Sequence, residues 1–113
     1  MGRVVEPKRV IFYQDEKGNE PFKLWASNLR DDKGYRAIWR RVRRLERGNY
    51  GDCEPVGEGV SELRLFVGPG YRVYFCEPET NLVVILCGGT KATQVSDIKA
   101  AKFYQKEYKK DAS

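Results

Sequence analysis

Residues 60–87, VSELRLFVGPGYRVYFCEPETNLVVILC, carry the pattern that decides the fold. Apolar and polar side chains alternate through Val60–Val67 and again through Tyr71–Glu77, which is typical of strands with one covered face. The joining sequences GPG and PETN are rich in turn-forming residues. Leu82–Cys87 is apolar on both faces, which indicates a central strand. The stretch therefore predicts three strands of an antiparallel meander.

Helical periodicity precedes this meander. Apolar residues recur at helical spacing from Phe22 to Leu29, after Pro21 at the favoured first-turn position. The sequence DDKG then breaks this helix and can cap a second one, which is predicted from Tyr35 to a stop at Gly48. The glycine-rich and acidic segment Asn49–Gly59 is predicted to be a loop.

Both ends of the chain add one element each. Arg9–Gln14 is a β-branched and aromatic run that predicts a strand, and Gln94–Tyr108 predicts a helix with Ile98, Ala101 and Phe103 turned inward. The predicted order is strand, two helices, three strands, helix, an α+β fold with helices packed on an antiparallel sheet. A length of 113 residues fits a single domain over 1–113, with a core of about 9–108.

The turn GPG sets the register of the first two meander strands. A three-residue turn pairs Val67 with Tyr71 and brings both apolar sets to one face, whereas a two-residue turn would mix the faces. This register places Arg64 opposite Tyr74. The predicted opposite face carries five side chains together, with Lys91 at the rim: Glu62, Arg64, Phe66, Arg72 and Tyr74.

Two arginines, a lysine and two aromatic rings on one concave surface suit single-stranded RNA. Guanidinium groups bind phosphate bidentately, and the rings stack on unpaired bases. The same residues also fit a half-exposed sheet face on which Glu62 and Arg64 form solvated ion pairs. The pattern alone leaves both interpretations open.

The second predicted helix is rich in arginine. Arg30–Arg47 contains eight basic residues against three acids, in a chain of net charge +5. Such a surface could bind RNA phosphates, dock an acidic partner segment or remain a solvated face. The planar guanidinium of arginine matches phosphate better than the ammonium of lysine does, so RNA binding is favoured here. The candidate RNA-binding residues of this helix are Arg36, Arg40, Arg43, Arg44 and Arg47.

Several classes of protein are disfavoured by composition. The three cysteines form no CxxC pair and the chain has no histidine, so neither a disulfide framework nor a metal site is expected. No apolar run approaches the roughly 20 residues that span a bilayer. The first six residues, MGRVVE, do not resemble a signal peptide. We expect a cytoplasmic protein that uses no metal or cofactor and binds no membrane.

Several ordered motifs resemble one known family. They are RLERGN (44–49) with GD (51–52), PVGEGV (55–60), ELR (62–64), GPGYRVYF (68–75), and LCGGTK (86–91) with Gln94, Asp97, Ile98 and Ala101. Together they resemble the "addiction module killer protein" branch of the RelE/ParE toxin superfamily, which is also close to HigB-type toxins. The resemblance covers roughly Val10 to Tyr108, and the predicted element order is the order which that family shows.

The resemblance implies a toxin held inactive by an antitoxin encoded beside it, in a toxin–antitoxin hetero-oligomer. In the RelE and HigB branches the toxin enters the ribosomal A site and cuts mRNA without a metal, as the 2′-hydroxyl attacks the adjacent phosphate. Arg72 matches the arginine of the family's Gly-Tyr-Arg strand, and Lys91 matches a basic residue just after the last strand. Both would stabilise the charge on the scissile phosphate. Arg64 lies near a further basic position, with a one-residue slip.

Proton transfer is where this sequence departs from the family. RelE-like nucleases usually place a tyrosine in or near the last helix, and HigB-like ones use histidine, whereas here Asp97 falls about where that tyrosine should lie. The remaining candidates are Glu62, Tyr74, Tyr104 and a lysine whose pKa is lowered by other cations.

Three functions follow from the resemblance. The first is a ribosome-dependent mRNA endoribonuclease with Arg72, Lys91, Arg64, Asp97 and Glu62 as its catalytic candidates. The second is a ParE-like toxin that binds and poisons DNA gyrase without chemistry. The third is a family member of low toxicity that acts as a partner-binding module. An antitoxin is the expected partner in every case.

Overall fold

The computed structural model describes residues 7–112. Met1–Glu6, the segment in which no signal peptide is predicted, lies outside the described residues. The described chain folds into one five-stranded sheet with helices on both faces. Its elements are β1 (Arg9–Phe12), α1 (Pro21–Ser27), α2 (Asp32–Glu46), β2 (Cys53–Gly57), β3 (Val60–Leu65), β4 (Tyr71–Glu79), β5 (Leu82–Thr90), a 3₁₀ turn (Lys91–Thr93) and α3 (Gln94–Ala112).

The predicted α+β class is confirmed, but the predicted element order is wrong by one strand. The segment Asn49–Gly59, predicted to be a loop, contains β2, which pairs antiparallel with β3 at the edge of the sheet. Its sequence, CEPVG, shows little alternation. The side chains of this edge strand are exposed or half-exposed, so it needs no continuous apolar face. Pro55 and the register shift between Pro55 and Gly57 are tolerated at an edge.

The strands lie in the order β1-β5-β4-β3-β2. The interior position of β5 is confirmed, because it pairs with both β1 and β4. The predicted antiparallel sheet is wrong in one pair: β1 runs parallel to β5, so the sheet is mixed. Helices α1 and α2 pack on one face of the sheet, and α3 packs on the other. Two apolar clusters, one on each face, form the core. Among the described residues no helix combines the length and apolarity that a bilayer crossing requires.

The predicted end of the last strand is wrong, because β5 continues through GGT to Thr90. Both glycines lie under side chains from the helices. A Cβ on Gly88 would be 2.4 Å from the Trp25 ring, and one on Gly89 would be 1.8 Å from the Asp97 carboxylate. These glycines continue the strand because the helices approach its backbone closely.

The predicted register of β3 and β4 is wrong by two residues. Leu65 pairs with Tyr71, Arg64 with Arg72 and Glu62 with Tyr74. The connection is therefore a five-residue loop, Phe66–Gly70, instead of the three-residue turn GPG. A two-residue shift keeps every side chain on its predicted face, since the side-chain period of a strand is two.

The helices begin close to their predicted positions, but the predicted end of the last helix at Tyr108 is wrong, because α3 continues to Ala112. Pro21 occupies the first turn of α1, and the Asp31 side chain caps α2 by accepting a hydrogen bond from the Gly34 backbone N–H at 3.1 Å. In α3 the inward positions of Ile98 and Ala101 are confirmed, but Phe103 is 58% exposed. Phe103 therefore lies on a side of α3 that faces solvent.

Candidate functional site

Arg72 lies in β4 next to Gly89 of β5, on the sheet face that α3 covers. Its side chain is only 6% exposed. One terminal nitrogen, Nη1, donates to the Tyr71 carbonyl at 3.2 Å, and Nε lies 3.8 Å from Glu62 Oε1. Within residues 7–112 that Nε has no hydrogen-bond partner. The strand therefore holds an almost buried cation whose polar atoms are incompletely satisfied.

Glu62 is the acid beside this arginine, and it is 2% exposed. Its Oε2 accepts hydrogen bonds from the Tyr74 hydroxyl at 3.0 Å and from the Gln94 side chain of α3 at 2.8 Å. Tyr74 is fully buried, and burial, followed by the charge of Glu62, raises the pKa of its hydroxyl. These three side chains form a closed polar cluster beneath the start of α3.

Lys91 approaches Arg72 at the rim of the sheet, as predicted from its position after β5. The backbone N–H of Lys91 donates to the Gly70 carbonyl at 2.8 Å. A Cβ placed on Gly70 would lie 3.4 Å from both Arg72 Nη1 and Lys91 Cβ. Gly70 has φ +80° and no side chain, so Arg72 Nη1 and the Cβ of Lys91 both border the space that a side chain there would fill. The Lys91 side chain is exposed, and none of the described acids pairs with it.

Asp97 stands on the other side of Arg72, in the first turn of α3. Its Oδ2 accepts a hydrogen bond from the Thr93 hydroxyl and lies against the backbone of Gly89, the residue paired with Arg72. The same carboxylate contributes to the raised pKa of Tyr74. Asp97 is half-buried, so among the carboxylates of this cluster it is the one with access to solvent.

The structure does not assemble the open face of five residues that the sequence predicts. Glu62, Arg72 and Tyr74 are enclosed under α3, and Tyr74 has no free ring face on which a base could stack. Arg64 is turned to the edge strand, where it pairs with Asp52 at 3.1 Å and with Glu54 at 2.9 Å. Phe66 lies outside the sheet in the β3–β4 loop. Sequence alternation assigned the faces correctly but did not show that a helix covers this one.

A second basic surface lies on α2, on the opposite face of the sheet. Arg36, Arg40, Arg43 and Arg47 are exposed, and none of them forms an ion pair with an acid among residues 7–112. Arg44 is half-buried and makes one long contact, 3.5 Å, with the Asn49 side chain. This surface continues into a concavity of about 390 Å³ that is lined by Tyr35, Arg36, Trp39, Arg40 and Arg43.

Arg41 differs from the other arginines of α2. Its guanidinium donates to the backbone carbonyls of Arg64, Tyr50 and Asp52 at 2.8–3.1 Å, and it therefore ties the segment before β2 to the helix. Its role is structural.

Comparison with known proteins places the chain in a family. Over 86 residues it is 44% identical to a Haemophilus influenzae protein described as uncharacterized, a match that covers 76% of this chain and 87% of that protein. The two proteins belong to one family. No family model matches the chain. The description of the H. influenzae relative names no activity, so the function has to be argued from the site.

Sequence reasoning missed three contributors to the Arg72 cluster in this family member. Gln94 fixes Glu62 from α3, Thr93 fixes Asp97, and Gly70 opens the space between Arg72 and Lys91. The glycines could have been suspected from their position beside basic residues. Gln94 belongs to the quoted motifs, but its contact with Glu62 gave no signal because the two residues are 32 positions apart in sequence. Thr93 lies one helical turn before Asp97, and its role could have been suspected from that spacing. Among the described residues, no group of three or more His, Cys, Asp or Glu side chains could hold a metal ion.

Proposed function

We propose that this chain is the toxin of a type II toxin–antitoxin system, a ribosome-dependent mRNA endoribonuclease that inhibits translation in the cytoplasm. The observation that carries the proposal is that Arg72 Nη1 and the Cβ of Lys91 both border the open space at Gly70. Two cations at one rim, one of them fixed by burial, suit a phosphate that gains charge during reaction. The resemblance to the RelE/ParE superfamily supports the proposal, because it implies that these two residues contact the scissile phosphate.

In the proposed reaction the 2′-hydroxyl of the mRNA attacks the adjacent phosphorus. The bond from phosphorus to the 5′-oxygen of the next nucleotide breaks, and a 2′,3′-cyclic phosphate forms. A base takes the 2′-hydroxyl proton, and an equivalent proton is delivered to the 5′-oxygen, which leaves as a hydroxyl. Arg72 and Lys91 stabilise the negative charge of the pentacoordinate transition state. Holding the attacking and leaving oxygens in line supplies a large part of the rate, because orientation alone contributes on the order of 7–11 kcal/mol.

Proton transfer in this proposal falls to Asp97 more readily than to Glu62 or Tyr74. Both Glu62 and Tyr74 are buried and bonded to each other, so they act as positioning residues that hold the Arg72 guanidinium. Asp97 is half-buried and lies against Gly89, the residue that pairs with Arg72. The last candidate, Tyr104, is stacked on Tyr13 with ring centroids 5.0 Å apart, and burial raises the pKa of the Tyr104 hydroxyl.

The α2 arginines support docking of the toxin on RNA. Exposed guanidinium groups without carboxylate partners bind phosphates and release the counterions condensed there, so affinity for the ribosome would fall with salt. The arrangement of β1, α1, α2, the antiparallel strands and α3 also supports a RelE-like topology, which belongs to this proposal together with the antitoxin as partner.

The experiment is brief induction of the chain in bacteria followed by mapping of mRNA 5′ ends. We expect new ends inside translated frames, lost in Arg72→Ala and in Lys91→Ala. Arg9→Ala and Lys99→Ala are the matched controls, because they remove exposed cations away from the site, and both should leave cleavage unchanged. Lys91 is exposed, so its loss leaves the fold intact. Full cleavage by folded Arg72→Ala and Lys91→Ala would refute the assignment.

Enclosure of Glu62 and Tyr74 favours a second candidate function, a ParE-like toxin that binds DNA gyrase without chemistry. A chain whose proton-transfer groups are mostly buried can act by surface contact alone. This candidate predicts intact mRNA, filamentous cells and DNA breaks after induction. The same induction therefore separates the two functions, since only the endoribonuclease produces cuts within reading frames while DNA stays whole.

A further inference from the structure

A small groove between α2 and the start of the β3–β4 loop has no role in the reaction proposed above. It has a volume of about 180 Å³ and is lined by Ala37, Arg40, Arg41, Arg44, Leu65, Phe66 and Val67. Phe66 is 78% exposed and the neighbouring Val67 is 39% exposed, so two consecutive apolar side chains face solvent at its border. Such a patch beside basic residues marks an interaction site more often than a free surface.

The charge around the groove is one-sided. No acid lines it, Arg40 pairs with none of the acids among residues 7–112, and Arg44 reaches only the Asn49 amide at 3.5 Å. Arg41, by contrast, is held by three backbone carbonyls and cannot turn toward a ligand without losing them. The guanidinium groups of Arg40 and Arg44 are therefore available to a ligand in this groove, whereas Arg41 is held in place.

We propose that this groove binds a segment of a partner protein in which one large apolar side chain is flanked by at least two carboxylates. The apolar side chain fills the groove between Ala37 and Phe66, and the carboxylates pair with Arg40 and Arg44. The volume suits a single side chain, because it is well below the roughly 300–1,000 Å³ of small-molecule pockets. An aromatic anchor surrounded by arginines is also the usual composition of an energetic centre in a protein interface.

A protein segment fits this groove better than RNA does. The polar side chains that line the groove are all arginines, so no side chain there offers an acceptor to the amino groups of a base. Phe66 is the one ring in this lining, beside aliphatic Ala37, Leu65 and Val67, so the groove offers at most a single stacking surface. Carboxylates next to an apolar side chain match both the charge and the apolar surface of the groove.

The inference rests on the proposed function in one respect, which is that the antitoxin supplies the segment. The groove lies on the α2 side of the sheet, whereas Arg72 lies on the α3 side. A segment bound here covers the arginines of α2 and leaves Arg72 untouched. Neutralisation would then act by blocking access to RNA instead of by filling the catalytic site.

The test measures binding of the purified product of the adjoining gene by calorimetry. The full-length chain is used in an Arg72→Ala background, so that toxicity does not prevent its expression. We expect Phe66→Ala to weaken binding about tenfold or more, and Arg40→Glu with Arg44→Glu to weaken it about a hundredfold. Lys33→Glu on the same helix and Phe103→Ala on α3 are matched controls, and both should bind as the parent does.

Three outcomes would overturn the proposal. One is no complex at all with the adjoining gene product. Another is equal weakening in the groove variants and in Lys33→Glu, which would show general charge attraction. The third is parental affinity in folded groove variants that have lost RNA binding, which would make the groove a nucleic-acid surface. Toxicity of the unaltered chain is measured separately, so a non-toxic chain that keeps the expected binding pattern would refute the proposed function and leave the docking surface standing.

Discussion

Replacing Glu62 by leucine tests whether the buried polar cluster holds the sheet and α3 together. The substitution leaves the Tyr74 hydroxyl and the Gln94 amide without their acceptor, and it leaves the nearly buried Arg72 guanidinium without its acid. Removing one partner of a buried ion pair costs about 3–5 kcal/mol, because the remaining charge is uncompensated. That is a large fraction of the roughly 5–15 kcal/mol by which a small domain is stable.

The measurement is urea unfolding of Glu62→Leu, Arg72→Met and the double variant. Arg72→Met alone should cost less, about 1–3 kcal/mol, because Glu62 keeps both of its hydrogen bonds. The double variant should be more stable than the sum of the single changes predicts, by about 1–3 kcal/mol, since it leaves no unpaired buried charge. A loss below about 1 kcal/mol in Glu62→Leu, or strict additivity, would refute the view that these groups form one closed cluster.

Three further predictions concern the fold. Gly88→Ala should cost about 1–3 kcal/mol or more in thermal unfolding, because the added Cβ would lie 2.4 Å from the Trp25 ring; parental stability would contradict the close packing. Arg41→Met should cost about 2–4 kcal/mol and speed amide hydrogen exchange in Cys53–Gly57, whereas exposed Arg40→Met should change stability by less than about 0.5 kcal/mol. Burial raises the pKa of the Cys87 thiol to about 12, whereas the thiol of the unfolded chain has a pKa of about 8.5. The stability that this thiol contributes is therefore fully present below about pH 8.5. It is lost as pH rises toward 12, because only the unfolded thiol ionises in that range. Unfolding at pH 8 and 10 should therefore show a loss about 2 kcal/mol larger in the parent than in Cys87→Ala, and equal losses would refute it.

Local patterns predicted the fold well wherever the spacing of apolar residues fitted only one type of secondary structure. The stripe of Ile38, Val42 and Leu45 gave α2, and the continuous apolar run of β5 gave the central strand. Strand β2 was missed because an edge strand needs backbone pairing and little apolar surface. The register was missed by two residues because alternation fixes the face of a side chain but not its partner, and the glycine and proline of the loop suggested a tighter turn than Phe66–Gly70.

The candidate site was predictable only in part, for a related reason. Alternation placed Glu62, Arg72 and Tyr74 on one face, and the structure keeps them there. It could not show that α3 lies over this face, because the polar residues of that face gave no sign of burial. The decisive contact, from Gln94 to Glu62, joins residues far apart in sequence.

The buried pair of Arg72 and Glu62 is a poor choice for stability, and that argues for a function. Apolar side chains at both positions would avoid the desolvation of the two charges and the unpartnered Nε of Arg72. Its acid lies 3.8 Å away, too far for the short, strong hydrogen bonds that make a buried pair worthwhile. Where a chain keeps such an unfavourable arrangement without compensation nearby, the usual reason is a ligand that completes it. Nη1 is the Arg72 atom that lies toward Gly70 and Lys91, so an anion at that rim, such as the proposed phosphate of mRNA, would give this buried cation a second counter-charge.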